Sequence, residues 1–443
     1  MYLHGTSKIN AQGHLEIGGV DTTDLKEQFG TPLYVVDEQL VRERCREYME
    51  AFRASGLGFQ VAYASKAFCV MAMCALAAEE GLSLDVVSDG ELFTALQAGF
   101  PAERIHFHGN NKTLEEIEMA LDAEIGCFVV DNFNELHLLQ AVAADKNRKV
   151  NILLRVTPGV EAHTHEYIST GQTDSKFGFD IGNGTAFDAI ELASKQSNLV
   201  LLGVHSHIGS QIFEVEGFQM AIQRVAEFAA DVYERLNVAF KVVNLGGGFG
   251  IRYIDGDTPL EVAQYVKAIT DAVKNHFAQI GYAVPEIWVE PGRSIVGEAG
   301  TTLYTVGTSK DIPGVRKYVA VDGGMTDNPR PALYESKYEA VLANRANEAA
   351  QETVSVAGKC CESGDMLIWD LDLPKVQSGD LLAVACTGAY NYSMASNYNR
   401  IRRPAVVFVK DGQGDVVVRR ETYQDIIQND LVPERIAKQP VIR

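Results

Sequence analysis

The sequence predicts an α/β protein, a (β/α)8 TIM-like barrel joined to a second, β-rich domain. Three observations carry that reading. Eight short apolar runs alternate with helix-like stretches through the first two-thirds of the chain, and each run ends on polar residues. Beyond about residue 294 the rhythm changes, and strand-like segments recur without full crossover helices between them.

The eight runs are 60–65, 82–87, 104–108, 125–130, 150–156, 200–206, 241–245 and 286–290. Amphipathic or alanine-rich stretches at 67–80, 90–98, 113–123, 132–145, 184–196, 216–236 and 259–278 separate them. This is the alternation that builds a parallel sheet covered by crossover helices. Eight units fit closure into a barrel better than an open sheet. The runs end at Ser65-Lys66, Ser88-Asp89, His108-Gly109-Asn110, Asp131-Asn132, Arg155, His205-Ser206-His207, Asn244 before a glycine run, and Glu290-Pro291-Gly292-Arg293. A closed barrel brings all of these to one rim, where active sites form. Strands also commonly stop at polar residues, which is the plain alternative.

After residue 294 the strand-like segments are 299–307, 315–321, 353–357, 380–385, 404–409 and 414–419, punctuated by turns such as Asp322-Gly323-Gly324. Early strands at 13–17 and 32–36 are expected to pair with this later sheet. The domains are therefore drawn as 38–293 for the barrel, with 1–37 and 294–443 forming the β-rich unit.

Composition narrows the function. The 443 residues are 46% hydrophobic, enough for two cores, and carry 39 basic against 59 acidic side chains, a net charge of -20. The acidic excess is spread along the chain and disfavours a nucleic-acid surface. No window approaches the roughly 20 apolar residues of a membrane span. The first residues lack the basic flank and apolar stretch of a signal peptide. Seven cysteines without a small-domain framework suit a reduced compartment. The expectation is a cytoplasmic protein with neither nucleic acid nor membrane as a partner.

Several rim residues have reactive chemistry. Lys66 leaves the first strand end, and a partly desolvated lysine can lose its proton and form an imine; a solvated surface lysine is the alternative. Gly246-Gly247-Gly248-Phe249-Gly250 offers backbone N–H groups that could surround a phosphate, at the strand where barrels commonly hold one. It has neither the dinucleotide spacing nor the lysine and hydroxyl of a P-loop, and a tight turn would use the same glycines. His205 and His207 point the same way in extended chain, but no clear metal signature accompanies them, so no metal is expected. His205 could instead cover an aromatic ring, with Ser210 donating to phosphate. A buried Glu290 could hold a proton on a pyridine nitrogen, and Arg293 could fork onto a phosphate or carboxylate. An internal Glu290–Arg293 salt bridge would look the same in sequence. Arg330 and Tyr334 carry groups suited to a carboxylate. In Cys360-Cys361-Glu362, adjacent cysteines suit a disulfide poorly, one thiol could transfer a proton, and Glu362 could receive an ammonium.

Taken together, Tyr63-Ala64-Ser65-Lys66, His205-Ser206-His207-Ile208-Gly209-Ser210, Asn244 through Gly250, Glu290-Pro291-Gly292-Arg293, Cys361-Glu362-Ser363-Gly364-Asp365 and Thr387-Gly388-Ala389-Tyr390 make the chain resemble the bacterial meso-diaminopimelate decarboxylases. These belong to the alanine-racemase-like class of pyridoxal-phosphate enzymes, and the resemblance spans nearly the whole chain. It implies pyridoxal 5'-phosphate held covalently by Lys66, with His205 stacked on its ring and Glu290 at its ring nitrogen. It implies phosphate contacts from Ser210, Gly247, Gly248, Gly292, Arg293 and Tyr390. Arg293, Arg330, Tyr334 and Tyr390 would meet the substrate. Cys361, near the reacting carbon, and Glu362, near the distal amine, would arrive across the interface of a homodimer with shared active sites. The implied reaction is decarboxylation of meso-2,6-diaminopimelate to L-lysine. The segment His163–Gly171, with its Ser/Thr/Gly-rich end, reads as a mobile lid.

Overall fold

The computed structural model describes residues 1–160 and 175–436. The expected lid at 163–171 lies outside the described residues. Eight parallel strands form the first sheet: β1 (Phe59–Ala64), β2 (Ser83–Val86), β3 (Ile105–Phe107), β4 (Cys127–Val130), β5 (Val150–Thr157), β6 (Leu199–His205), β7 (Val242–Asn244) and β8 (Glu286–Val289). Each pairs with the next in sequence, and β8 returns to β1 through Ile287 opposite Phe59, so the sheet closes into a barrel. A short strand, Phe179–Asp180, adds to β5.

Local chemistry explains why helices start where the strands stop. Ser88 and Asn132 follow β2 and β4, and their side chains accept from the N–H groups of Glu91 and Glu135. Thr113 and Glu116 form a reciprocal capping box after β3. Each supplies an acceptor to helix donors that have no partner within the helix. Inside the barrel, Cys127, Val129, Leu153, Val242 and Trp288 make an apolar floor. His106 stacks on Trp288 with ring centroids 4.4 Å apart. Polar groups therefore concentrate above that floor, toward the C-terminal strand ends.

The second domain is a twisted β assembly. Its strand order runs Met366–Leu373, Glu352–Ala357, Arg316–Val321, Gly300–Ile312, Leu33–Asp37, Ala405–Lys410 and Gln413–Val418. Leu381–Ala385 also pairs with Gly300–Ile312 and carries Ala340–Leu342 on its other side. The early strand at 33–37 joins this sheet as expected, between Gly300–Ile312 and Ala405–Lys410. The expectation for 13–17 needs correction: Leu15–Ile17 pairs only with Lys8–Ile9 and Val20–Asp21 in a small sheet of its own. Within the larger sheet, the strands 340–342 and 366–373 had no counterpart in the sequence reading. The second carries exposed Trp369 and polar Asp370 and Asp372, which break the apolar pattern.

Two crossings tie the domains together. Asp37 ends a strand of the second sheet and caps the helix Glu38–Ser55 that leads into the barrel, accepting from Leu40 N–H. At the return, Gly388 and Gly300 pass so closely that a Cβ on Gly388 would lie 1.8 Å from the Val296 carbonyl. That approach carries the following loop to the barrel rim, where Tyr390 donates its N–H to Ala67 O at 2.8 Å.

Candidate active site

A cavity of about 420 Å³ opens at the C-terminal strand ends. Of the sequence-predicted residues, it brings together Lys66, His205, Ser210, Gly247, Gly248, Glu290, Gly292, Arg293 and Tyr390. Lys66 sits in the short turn Ser65–Ala67 directly after β1 and keeps its side chain open to the cavity.

Glu290 is the electrostatic centre. Its Oε1 accepts from Asn244 Nδ2 at 2.6 Å, and its Oε2 lies 3.1 Å from His205 Nε2. His108 Nε2 stands 3.2 Å from Glu290 Oε1 and equally 3.2 Å from Asp85 Oδ1. Burial alone would raise the Glu290 carboxyl, but the imidazoles of His205 and His108 outweigh it and hold the acid well below the usual carboxylate range. The two rings divide the charge. Burial works against a proton on His108, yet Glu290 and Asp85 lift it to about 9. Burial instead pushes His205 down to about 4. Burial and the neighbouring Glu290 raise Asp85. The ligand atoms of His108, His205 and Glu290 lie within 4.8 Å of one another, a spacing that the His205 hydrogen bond and the His108 ion pair to one carboxylate account for.

The glycine turn after β7 is shaped by close approach. A Cβ on Gly247 would meet the Glu290 carbonyl oxygen at 2.2 Å, and one on Gly248, whose φ is +105°, would meet the Gly209 carbonyl at 2.5 Å. Only glycine leaves the backbone there free to face a ligand. On the same side Arg293 is buried, donating from Nη2 to Ser210 Oγ at 2.9 Å and from Nη1 to Tyr253 OH at 2.6 Å. Its guanidinium lies over the Tyr390 ring, 4.9 Å from the centroid. The Glu290–Arg293 salt bridge considered from sequence does not form: among the described residues neither Arg293 nor Arg330 has a carboxylate partner. Arg330, also buried, shares Tyr253 OH at 2.9 Å and reaches Tyr338 OH at 2.9 Å. It stands one residue back from the cavity wall.

Other predicted residues lie elsewhere. Tyr334 ends the short helix Arg330–Tyr334 and is partly exposed. Cys361 and Glu362 are exposed on the loop after Glu352–Ala357, where Cys361 N–H donates to Asn399 Oδ1 at 2.8 Å. Neither lines the cavity of its own chain.

Sequence reasoning placed His108 on the rim without a role, weighed His207 only as half of a metal pair, and passed over Asp85, Tyr253 and Tyr338. His207 is less enclosed than His205 and lines the cavity, its Nδ1 accepting from Gly247 N–H at 3.3 Å. Burial, reinforced by Lys66, holds its ring well below the usual histidine range. The signal for His108 was its place at a strand end, whereas Asp85 lay inside the run 82–87 as its one charged residue. Tyr253, in the loop after the glycines, had no comparable signal.

The cavity suits pyridoxal phosphate. The imine-forming amine, a buried carboxylate, a glycine cradle with no room for a Cβ and an unmatched buried guanidinium correspond to the cofactor's aldehyde, ring nitrogen and phosphate. Arg293 Nε and His205 Nδ1 are buried without hydrogen-bond partners, and both residues line the cavity.

Comparison with known proteins agrees. The family model described as pyridoxal-dependent decarboxylase, pyridoxal binding domain, matches residues 38–297. The chain is 62% identical over 431 residues to the diaminopimelate decarboxylase of Bacillus subtilis (strain 168), covering 97% of this chain and 98% of that protein. It is 50% identical over 426 residues to the Staphylococcus aureus (strain COL) enzyme of the same name, covering 96% and 99%. Among solved structures, the diaminopimelate decarboxylase of M. jannaschii in complex with L-lysine superposes with a TM-score of 0.92 at 37% identity, covering 98% of this chain and all of that one.

Proposed function

Because this chain belongs to the diaminopimelate decarboxylase family, we propose that the residues around its cavity divide the work of that reaction as follows. The reaction is removal of carbon dioxide from the D-centre of meso-2,6-diaminopimelate to give L-lysine, the final step of lysine biosynthesis, with pyridoxal phosphate as cofactor. When bound, the cofactor supplies the electron sink that receives the bonding pair of the departing carboxylate.

Lys66 carries the amine that holds the cofactor and exchanges with the substrate amine. Glu290, kept anionic by its histidine neighbours, faces the ring nitrogen and stabilises a proton there. This single observation, a buried carboxylate on the cavity wall bonded to Asn244 and His205, carries the reading. Gly247, Gly248 and Gly292, with Ser210, Arg293 and Tyr390, hold the phosphate through N–H, O–H and guanidinium donors. The role of covering the ring passes from His205, enclosed against Glu290, to His207, which is less enclosed on the cavity wall. His205 then positions Glu290.

Arg293, Arg330, Tyr334 and Tyr390 select the substrate's distal carboxylate. Cys361, as proton donor to the reacting carbon, and Glu362, as receiver of the distal ammonium, come from a second copy of the chain in a homodimer with shared sites. Their exposed loop, away from their own cavity, supports that arrangement. The barrel is of the (β/α)8 TIM-like kind and occupies 38–293. Residues 1–37 and 294–443 build the β-rich domain that contributes to substrate binding and dimerisation. Among the described residues no helix is long and apolar enough to cross a membrane, in keeping with a cytoplasmic enzyme.

Product analysis tests the reading. Purified protein with pyridoxal phosphate and a panel of dibasic amino acids should yield lysine and carbon dioxide in equal amounts from the meso isomer. Interconversion of the meso and LL isomers without carbon dioxide would overturn it.

A further inference from the structure

Tyr253 belongs to the loop that follows the glycine turn, and its side chain is buried between the two arginines. Arg293 Nη1 donates to its hydroxyl oxygen at 2.6 Å and Arg330 Nη1 donates to the same atom at 2.9 Å. Both guanidiniums also lie over its ring, at 5.6 and 5.2 Å from the centroid. Two buried cations thus meet at one neutral oxygen, while no carboxylate among the described residues pairs with either. A phenol oxygen has two lone pairs, and these two donors fill them. The cations turn outward in different directions from that atom. Arg293 continues to Ser210 on the glycine-turn side, and Arg330 continues to Tyr338 in the second domain. Like charges this close remain together only where anions or fixed dipoles compensate them.

We propose that Tyr253 is a positioning residue that orients two anion subsites at once, fixing Arg293 for the cofactor phosphate and Arg330 for the distal carboxylate of the amino acid. This rests on the assignment of Arg330 to that carboxylate. Losing the hydroxyl frees both guanidiniums to rotate, and leaves ring packing in place. The consequence is a double signature. One substitution on the barrel side weakens recognition of two chemically separate anions, whereas loss of the Tyr338 hydroxyl, which accepts from Arg330 and not from Arg293, weakens one.

The test compares ligands that differ by a single anionic group. Binding of L-lysine and of cadaverine to the full-length holoenzyme, titrated by cofactor absorbance, isolates the carboxylate. Binding of pyridoxal phosphate and of pyridoxal to the full-length protein, followed by fluorescence quenching, isolates the phosphate without any turnover. For Tyr253→Phe, both affinity ratios should fall by about tenfold, the scale of one hydrogen bond to a charged group. For Tyr338→Phe only the lysine-to-cadaverine ratio should fall. A Tyr253→Phe protein in which one ratio falls and the other stays unchanged overturns the double role, as does one in which both stay unchanged. Arg330→Gln separates the two levels of the argument: an unchanged lysine-to-cadaverine ratio in that variant removes the carboxylate assignment itself. Should Tyr253→Phe fail to fold, Tyr253→His, a smaller ring that also lacks the phenol oxygen, is read by the same two ratios, and a fall in only one of them, or in neither, refutes the link.

Discussion

Replacing Glu290 with glutamine removes one negative charge and little volume from the most enclosed part of the site. His108 Nε2 lies 3.2 Å from the carboxylate, so at an effective dielectric near 20 the gross attraction lost is about 5 kcal/mol. Desolvation offsets much of that, and close opposite charges typically move a titration by about one to three units. His108, lifted to about 9 by Glu290 and Asp85 together against its burial, should therefore titrate well below that in the variant. The sign for stability follows from linkage. A histidine raised above its ordinary 6.5 contributes stability that is complete below that value and is lost as pH rises through its folded value. Wild-type protein should lose this contribution as pH climbs from about 6.5 to 9, at ~1.4 kcal/mol per unit, and the variant should lose less, over a narrower and lower range. Turnover should fall about 100-fold or more, the scale of removing one preorganised electrostatic contact, while Lys66 still holds the cofactor. Carbon dioxide release, the visible spectrum and urea unfolding between neutral and alkaline pH measure all three. Turnover within threefold of wild type, together with an unchanged alkaline stability profile, would refute the argument.

Gly247→Ala should lower cofactor affinity and cost at least ~2 kcal/mol in urea unfolding, because its Cβ would sit 2.2 Å from the Glu290 carbonyl oxygen and backbone cannot yield cheaply. Lys112→Met should destabilise by about 3–5 kcal/mol: its ammonium is buried, donates to Gly109 O and Val129 O, and pairs with Glu135 at 2.7 Å. Denaturant midpoints check this, and a change below ~1 kcal/mol would count against the pair as the anchor of the loop after β3. Lys66→Ala and Cys361→Ala, each inactive alone, should regain roughly a quarter of wild-type activity when unfolded and refolded together in equal amounts, since a two-fold dimer with shared sites then has one intact site in half its molecules. No recovery from a mixture that demonstrably forms hybrid dimers would remove Cys361 from the partner's site.

The barrel was legible in sequence because its signals are local and repeated. Apolar runs with polar ends recur eight times, and Ser88, Thr113 and Asn132 cap helices directly after strands, so each unit announces itself within a short stretch of chain. Lys66, the glycine turn and Glu290 were legible for the same reason, each lying at a strand end with a distinctive neighbourhood. What stayed hidden depends on distance. Tyr253 matters because Arg293 and Arg330, 40 and 77 residues away, converge on its hydroxyl. His108 matters because β2 and β8 bring Asp85 and Glu290 to the same nitrogen. The strand 366–373 was missed because its exposed Trp369 and acidic residues obscure the period, and pairing to Glu352–Ala357 supplies what propensity does not.

The same division bears on where reaction type and substrate choice reside. The family match ends at residue 297, so it takes in Lys66, Glu290, the glycine turn and Arg293 and leaves out Arg330, Tyr338, Cys361, Glu362 and Tyr390. The barrel holds groups that act on any amino acid reaching the cofactor. Apart from Arg293, the groups proposed to read the distal end come from the second domain, set against the barrel at a junction too tight for a side chain on Gly388. Tyr390, held at φ +62° with its N–H on Ala67 O, stands next to Lys66 while covering Arg293. On the roles proposed above, changes at Arg330, Tyr334 or Glu362 should alter which substrate is accepted and leave Lys66 and Glu290 in place, whereas changes at Cys361 should touch the chemistry itself. Tyr253, which accepts from Arg293 on the barrel side and from Arg330 in the second domain, is the residue proposed to join the two tasks.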